Sequence, residues 1–148
     1  MKSDYSLYKS HISFGIISGE IDPDVFSKEL DIKPHRSFKK GEQIISAHSG
    51  SIITKPHNLW EIASKPLICE EESLEPHINY IRTMLAGKMN ILKQYKHDPR
   101  IETIFWIWME TENGGIGIDL IDTDVSFFNE ISNRIHFTFL AKDSIDPL

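Results

Sequence analysis

Cysteine is nearly absent from the sequence: one residue in 148 excludes an internal disulfide and any cysteine-cluster zinc site. Such scarcity is typical of a reducing compartment, so we expect a cytoplasmic protein. The longest apolar run, Ile104 to Met109, has six residues, whereas a membrane-spanning helix needs about 20. The first ten residues also lack the apolar core of a signal peptide. We therefore expect no membrane segment.

Positive charge is scarce as well: the sequence has 16 Lys and Arg residues but 22 Asp and Glu residues, which gives a formal net charge of −6. This balance argues against a general nucleic-acid binder, which must neutralise phosphates with Lys and Arg. Catalytic signatures are missing: the sequence has no Walker loop, Gly-x-Ser-x-Gly or His-Glu-x-x-His, and its seven histidines show no metal-ligand spacing. We expect no metal site and no cofactor, and no motif supports an enzyme.

What is present indicates one ordinary globular domain over residues 1–148, with 40% hydrophobic and 26% charged residues. The clearest element is a predicted β-hairpin from Ile101 to Ile121, whose apolar runs flank Asn113-Gly114-Gly115. Period-two alternation places Trp106 and Trp108 on one side of its first strand, and the other side is apolar too. Either both faces of this strand are covered, or it presents two indoles to a partner.

The same periodicity predicts the remaining elements. Strands are predicted over Leu7 to Ser18, Leu59 to Ser64 and Arg134 to Ala141, and helices over about Pro23 to Leu30 and Leu74 to Tyr95. A third helix is predicted to be capped by Asp122 or Thr123 and to end near Asn133. Gly87 marks a weak point or kink in the long helix. The connection from Lys33 to His57 is either functional or contains a short strand at Gln43 to Ile45 or Ser51 to Thr54.

This order of elements predicts an α+β domain with ferredoxin-like elements. We expect a mixed or antiparallel sheet of about five strands, with helices mainly on one face. Alternation then fixes what lines the other face: His11, Ser13, Glu61, Trp106, Trp108, Asp119, His136 and Thr138. Such a surface can hold a ligand by stacking and convergent polar groups. The alternative is a solvated sheet back, with the indoles under the loop from Lys33 to His57.

A basic cluster begins that loop, formed by Lys33, His35, Arg36, Lys39 and Lys40. It can hold a phosphate or an acidic partner segment. A solvated loop is the simpler interpretation, because no glycine-rich phosphate cradle accompanies the cluster.

Three segments carry a family resemblance: Gly19-Glu20-Ile21-Asp22-Pro23, then Leu30-Asp31-Ile32-Lys33-Pro34 running into Phe38-Lys39-Lys40-Gly41-Glu42, then Trp60 in a short strand. Together they resemble domain-of-unknown-function family 4279, a bacterial family, over nearly the whole chain. Asp31 stands where that family usually has a glycine at a helix end, and Asp can take left-handed geometry there at some cost. The resemblance implies a long helix and similar final strands, but no reaction and no catalytic residues.

We expect a binding protein with a protein partner, for which immunity proteins are a fold-level analogy. In this hypothesis the indoles of Trp106 and Trp108 are the anchors, and His136, Asp119 and Glu61 flank them. The loop from Lys33 to Lys40 forms the rim of the interface. The alternative is a small-ligand binder or hydrolase that uses the same face, with His11 or His136 as base and Glu61 or Asp119 as its orienter. A homodimer built on the indole face is a third arrangement.

Overall fold

The computed structural model describes residues 9–65, 73–111 and 118–141. Its helices are α1 (Pro23–Leu30), α2 (Glu75–Met84), α3 (Met89–His97) and α4 (Asp122–Ile131). Its strands are β1 (Lys9–Ser18), β2 (Arg36–Phe38), β3 (Gln43–Ile45), β4 (Ile52–Thr54), β5 (Asn58–Ala63), β6 (Ile101–Thr111) and β7 (Arg134–Ala141). No helix within these ranges is long and apolar enough to cross a membrane.

Five strands form one mixed sheet in the order β2-β5-β1-β6-β7, while β3 and β4 pair as a separate two-stranded sheet. β1 pairs antiparallel with both β5 and β6. β7 runs parallel to β6, as expected for two neighbouring strands that a crossover helix, here α4, connects. The predicted α+β class and five-stranded mixed sheet are confirmed.

The helices pack on one face of this sheet because the central strands present large apolar side chains there. Ile12, Phe14 and Ile16 of β1 are completely buried, and Phe105 of β6 lies opposite Phe14. The ring of Phe105 is 4.6 Å from that of Phe128 in α4, measured between centroids. Trp60 of β5 belongs to this helix-covered face. The Trp60 indole is completely buried, and its N–H donates to Ser27 Oγ in α1 at 3.1 Å.

The predicted hairpin is wrong in its second strand. Residues 118–121 form no strand, and the predicted turn at Asn113-Gly114-Gly115 lies outside the described residues. Its first strand does form as β6. Both edges of β6 are occupied, one by β1 and the other by β7, so no edge is left for a hairpin partner.

Two other predictions are refined by the structure. The helix predicted from Leu74 to Tyr95 is interrupted: α2 ends at Met84 and α3 begins at Met89, with Gly87 between them at a φ of 80°. The long connection after α1 contains three short strands, of which β3 and β4 coincide with the two predicted candidates and β2 was missed. Asp31 ends α1 in left-handed geometry, with a φ of 53°, as the sequence indicated.

Candidate functional site

A concavity of about 410 Å³ lies on the sheet face opposite the helices, which we call the open face. All five strands of the large sheet contribute to its walls. The lining side chains include His11 and Ser13 of β1, Arg36 and Phe38 of β2, Leu59 and Glu61 of β5, Trp106 and Trp108 of β6, His136 and Thr138 of β7, and His57. This volume falls within the range of ligand-binding pockets, roughly 300 to 1,000 Å³.

The register of the sheet explains why these residues meet. His11 lies opposite Trp108, and Ser13 lies opposite Trp106. On the other side of β6, Trp106 lies opposite His136, so side chains from three neighbouring strands stand in one row. Directly paired residues point to the same face of a sheet. The row is therefore fixed by strand pairing and does not depend on a loop.

Trp106 lies flat against the backbone of β1. A Cβ atom added at Gly15 would come within 2.3 Å of Cζ3 and 2.7 Å of Cη2 of the Trp106 ring. Only a residue without a side chain leaves room for the indole there. A glycine inside a strand often marks such a close approach, and this is the signal that could have identified Gly15 from the sequence.

Trp108 is ordered by a ring stack with His11. The two ring centroids are 5.9 Å apart and the planes differ by 21°. Burial lowers the pKa of the His11 imidazole, and the positive charge of Lys65 adds to this effect against the opposing influence of Glu110. The neutral imidazole is therefore favoured at neutral pH, which suits a ring that is stacked and half-buried.

Glu61 is the carboxyl group of the concavity. Burial raises the pKa of Glu61, while the charge of Arg36, the Ser13 hydroxyl and the charge of Lys65 act in the opposite direction. Arg36 lies opposite Glu61 in the β2–β5 pair. These two side chains form no ion pair within the described ranges. The carboxyl group is therefore partly desolvated, and the positive charges of Arg36 and Lys65 act on it without a direct ion pair to Arg36.

Phe38, which lines the concavity, has two cations near its aromatic ring, and one of them, Arg36, also lines the concavity. The Arg36 guanidinium carbon is 5.4 Å from the centroid of the Phe38 ring, and Lys55 Nζ is 4.3 Å from it. The ring of His57 is 5.9 Å from the same centroid. We call Arg36, Lys55 and Phe38 the cationic lip. Sequence analysis missed the roles of Phe38, Lys55 and His57, because their proximity depends on β2 pairing with β5.

A family model described as Domain of unknown function (DUF4279) matches residues 7–142. The chain belongs to this family. The match contains every strand of the large sheet, so the open face is part of the DUF4279 domain itself. No curated protein and no solved structure matches the chain.

In this DUF4279 protein the structure brings together six of the nine residues that the sequence nominated: Trp106, Trp108, His11, Glu61, His136 and Arg36. Asp119 is not among them. The prediction that Asp119 shares the sheet face is wrong, because residues 118–121 form no strand, and Asp119 is exposed in the segment before α4.

The two nominated lysines also lie away from the concavity. Lys39 Nζ forms ion pairs with Asp22 and Asp24 at 3.1 and 3.3 Å, and these partners raise the pKa of Lys39. The backbone N–H of Lys40 donates to Asn58 Oδ1 at 2.8 Å, and the residue is exposed. Of the predicted rim, Arg36 and Phe38 line the concavity.

The open face is not closed by the long loop. None of residues 39–54 lines the concavity, and both indoles are half-buried. Within the described ranges, no group of three or more His, Cys, Asp or Glu side chains is placed to hold a metal ion. Neither His11 nor His136 forms a hydrogen bond or ion pair with Glu61 in that part of the chain. The arrangement suits stacking and polar recognition better than proton transfer.

Proposed function

We propose that this DUF4279 protein binds a protein partner through the open face, with Trp106 and Trp108 as anchors. The observation that carries this proposal is the pair of half-buried indoles in a concavity on the face opposite the helices. Tryptophan is enriched among the residues that carry most of the binding energy at interfaces.

The indoles are already ordered in the free protein, which supports this role. Trp106 is held against β1 at Gly15, and Trp108 is stacked on His11. Side chains that are fixed before association lose less conformational entropy when a partner binds. Polar groups from Glu61, Arg36 and His136 surround the indoles, as expected for an apolar interface centre with a polar rim.

The small-ligand or hydrolase alternative has less support. The volume of the concavity would suit a small molecule, but a general base needs an orienting partner, and no hydrogen bond joins a histidine to Glu61 among the described contacts. An immunity-like protein, which neutralises a toxin by occupying it, is one form that the proposed partner binding can take. The single cysteine fits a cytoplasmic setting for this role.

An affinity pull-down from the lysate of the native host tests the proposal. It compares wild type with a Trp106→Ala, Trp108→Ala variant and with Val125→Ala, a control at an exposed apolar position on α4. We expect a partner that wild type and Val125→Ala retain and that the double variant loses. Truncating an anchor costs about 2 kcal/mol or more, or roughly 30-fold in affinity. Equal retention by all three proteins, with folding verified by circular dichroism, would contradict the proposal.

A further inference from the structure

The cationic lip has two positive charges, and neither takes part in an ion pair within the described ranges. Arg36 and Lys55 both approach the ring of Phe38, and the charge of Arg36 acts on Glu61, opposite it on β5, without an ion pair between the two. By contrast, Lys39 and Arg100 are each held by nearby carboxylates. Two like charges near one ring repel each other, and a bound anion would relieve that repulsion.

The lip and the indoles lie on one sheet face but three strands apart, because β5 and β1 separate β2 from β6. Arg36 and Phe38 line the same concavity as Trp106 and Trp108. A carboxylate of an incoming segment would meet a guanidinium, which can bind both oxygens at once, while an apolar side chain farther along that segment would pack on the indoles. Glu61 lies opposite Arg36 but forms no ion pair with it within the described ranges; burial raises the pKa of this carboxyl group, and the charge of Arg36 opposes that rise.

The net charge of −6 does not decide which segment binds at the lip. That charge favours a basic partner at long range, but salt screens it beyond about 8 Å at physiological ionic strength. At short range the open face presents Arg36, with Lys55 near Phe38, and Lys65, whose charge acts on both His11 and Glu61, alongside the acidic Glu61 and Glu110.

We infer that the protein partner contributes an acidic segment that crosses the open face, with a carboxylate at Arg36 and Lys55 and an apolar side chain farther along the segment on Trp106 and Trp108. This inference rests on the proposed function and specifies its partner chemistry. The two cations and two indoles then act as one recognition unit, the cations selecting charge and the indoles supplying apolar contact area.

Two capped hexapeptides test this chemistry directly, one with two glutamates and two leucines and one with glutamines in place of the glutamates. Binding is followed by NMR through the indole N–H signals of Trp106 and Trp108 and the backbone amides of β2. We expect the glutamate peptide to shift these signals and to bind at least five times more tightly than the glutamine peptide. Its affinity should fall as salt is raised.

Charge-removing variants locate the site. We expect Arg36→Gln and Lys55→Gln each to weaken the glutamate peptide about five- to tenfold. Lys93→Gln should leave the affinity unchanged, because Lys93 lies on α3 and pairs with Glu130 at 3.6 Å. Equal binding of the two peptides, no shift with the glutamate peptide, or unchanged affinity in both lip variants would overturn the inference.

The inference and the proposed function can fail separately. One outcome is a lysate partner that is lost by the Trp106→Ala, Trp108→Ala variant but retained by the Arg36→Gln, Lys55→Gln double variant. That result would refute the inference of an acidic segment and leave the proposed function standing. A glutamate peptide that binds at the lip, combined with a lysate partner indifferent to both tryptophans, would support the subsite and contradict the proposed function.

Discussion

Replacing Gly15 with alanine should lift the Trp106 indole off the sheet. The added Cβ would lie 2.3 Å from the ring, whereas an ordinary contact needs at least 3.4 Å, so the ring has to move by about 1 Å. The backbone of β1 cannot yield easily, because it is paired with β5 on one side and β6 on the other. Trp106 faces the concavity, and movement outward is the open route.

The energetic cost follows from two opposing effects. Inserting a methyl group into a packed contact costs about 1 to 3 kcal/mol, while replacing glycine inside a strand recovers about 0.5 to 1 kcal/mol. We expect a net loss in the free energy of unfolding of about 1 kcal/mol, which for a domain of this size lowers Tm by about 2 to 4 °C.

Urea unfolding and iodide quenching of tryptophan emission measure the two consequences. Trp60 is completely buried and should resist iodide, so the quenched emission reports on Trp106 and Trp108. Gly19→Ala is the matched control, because no atom lies within 4 Å of a Cβ built at Gly19. We expect greater quenching and a lower urea midpoint for Gly15→Ala alone. Wild-type quenching, with a midpoint at or above that of Gly19→Ala, would refute the packing of Trp106 on β1.

Three further predictions concern stability. Asp31→Gly should raise the urea midpoint by the equivalent of about 0.5 kcal/mol, because Asp31 has a φ of 53° and glycine adopts that geometry without strain; a lower midpoint would contradict this. Burial raises the pKa of Glu61 in the folded state, so its contribution to stability is greatest below the ordinary carboxyl pKa and falls as pH rises through the folded value. The stability of Glu61→Gln relative to wild type should therefore increase between pH 4 and pH 7. A difference between their urea midpoints that stays constant over this range would disprove the prediction. Arg82→Met should cost about 3 kcal/mol in urea unfolding, because it leaves the fully buried Asp124 without the guanidinium now 3.0 Å away; Arg82→Met, Asp124→Leu should recover part of that loss.

The open face could be predicted from the sequence because alternation is a local signal. Along β6, a period of two alone separates Trp106 and Trp108 from the core residue Phe105, and the same holds for His11 in β1. The sequence pattern wrongly placed Asp119 on the open face, because residues near it alternate like a strand. A strand there would also need a free edge of β6 to pair with. β7, which begins 23 positions after β6 ends, occupies the edge that a hairpin partner would need.

The cationic lip could not be predicted, because it arises from contacts between residues distant in sequence. Lys55 reaches Phe38 across 17 positions, and the three-residue strand β2 is too short to show a period. The sequence offered five basic residues in one run, and the fold separates them: Lys39 is paired with Asp22, while Arg36 stands opposite Glu61 and lines the same concavity as the indoles. The number of basic residues in a run does not show which of them are free to meet an anion, because that depends on which acquire ion-pair partners in the fold. The inferred acidic segment therefore rests on Arg36 and Lys55 forming no ion pair within the described ranges, more than on the number of basic residues in the run.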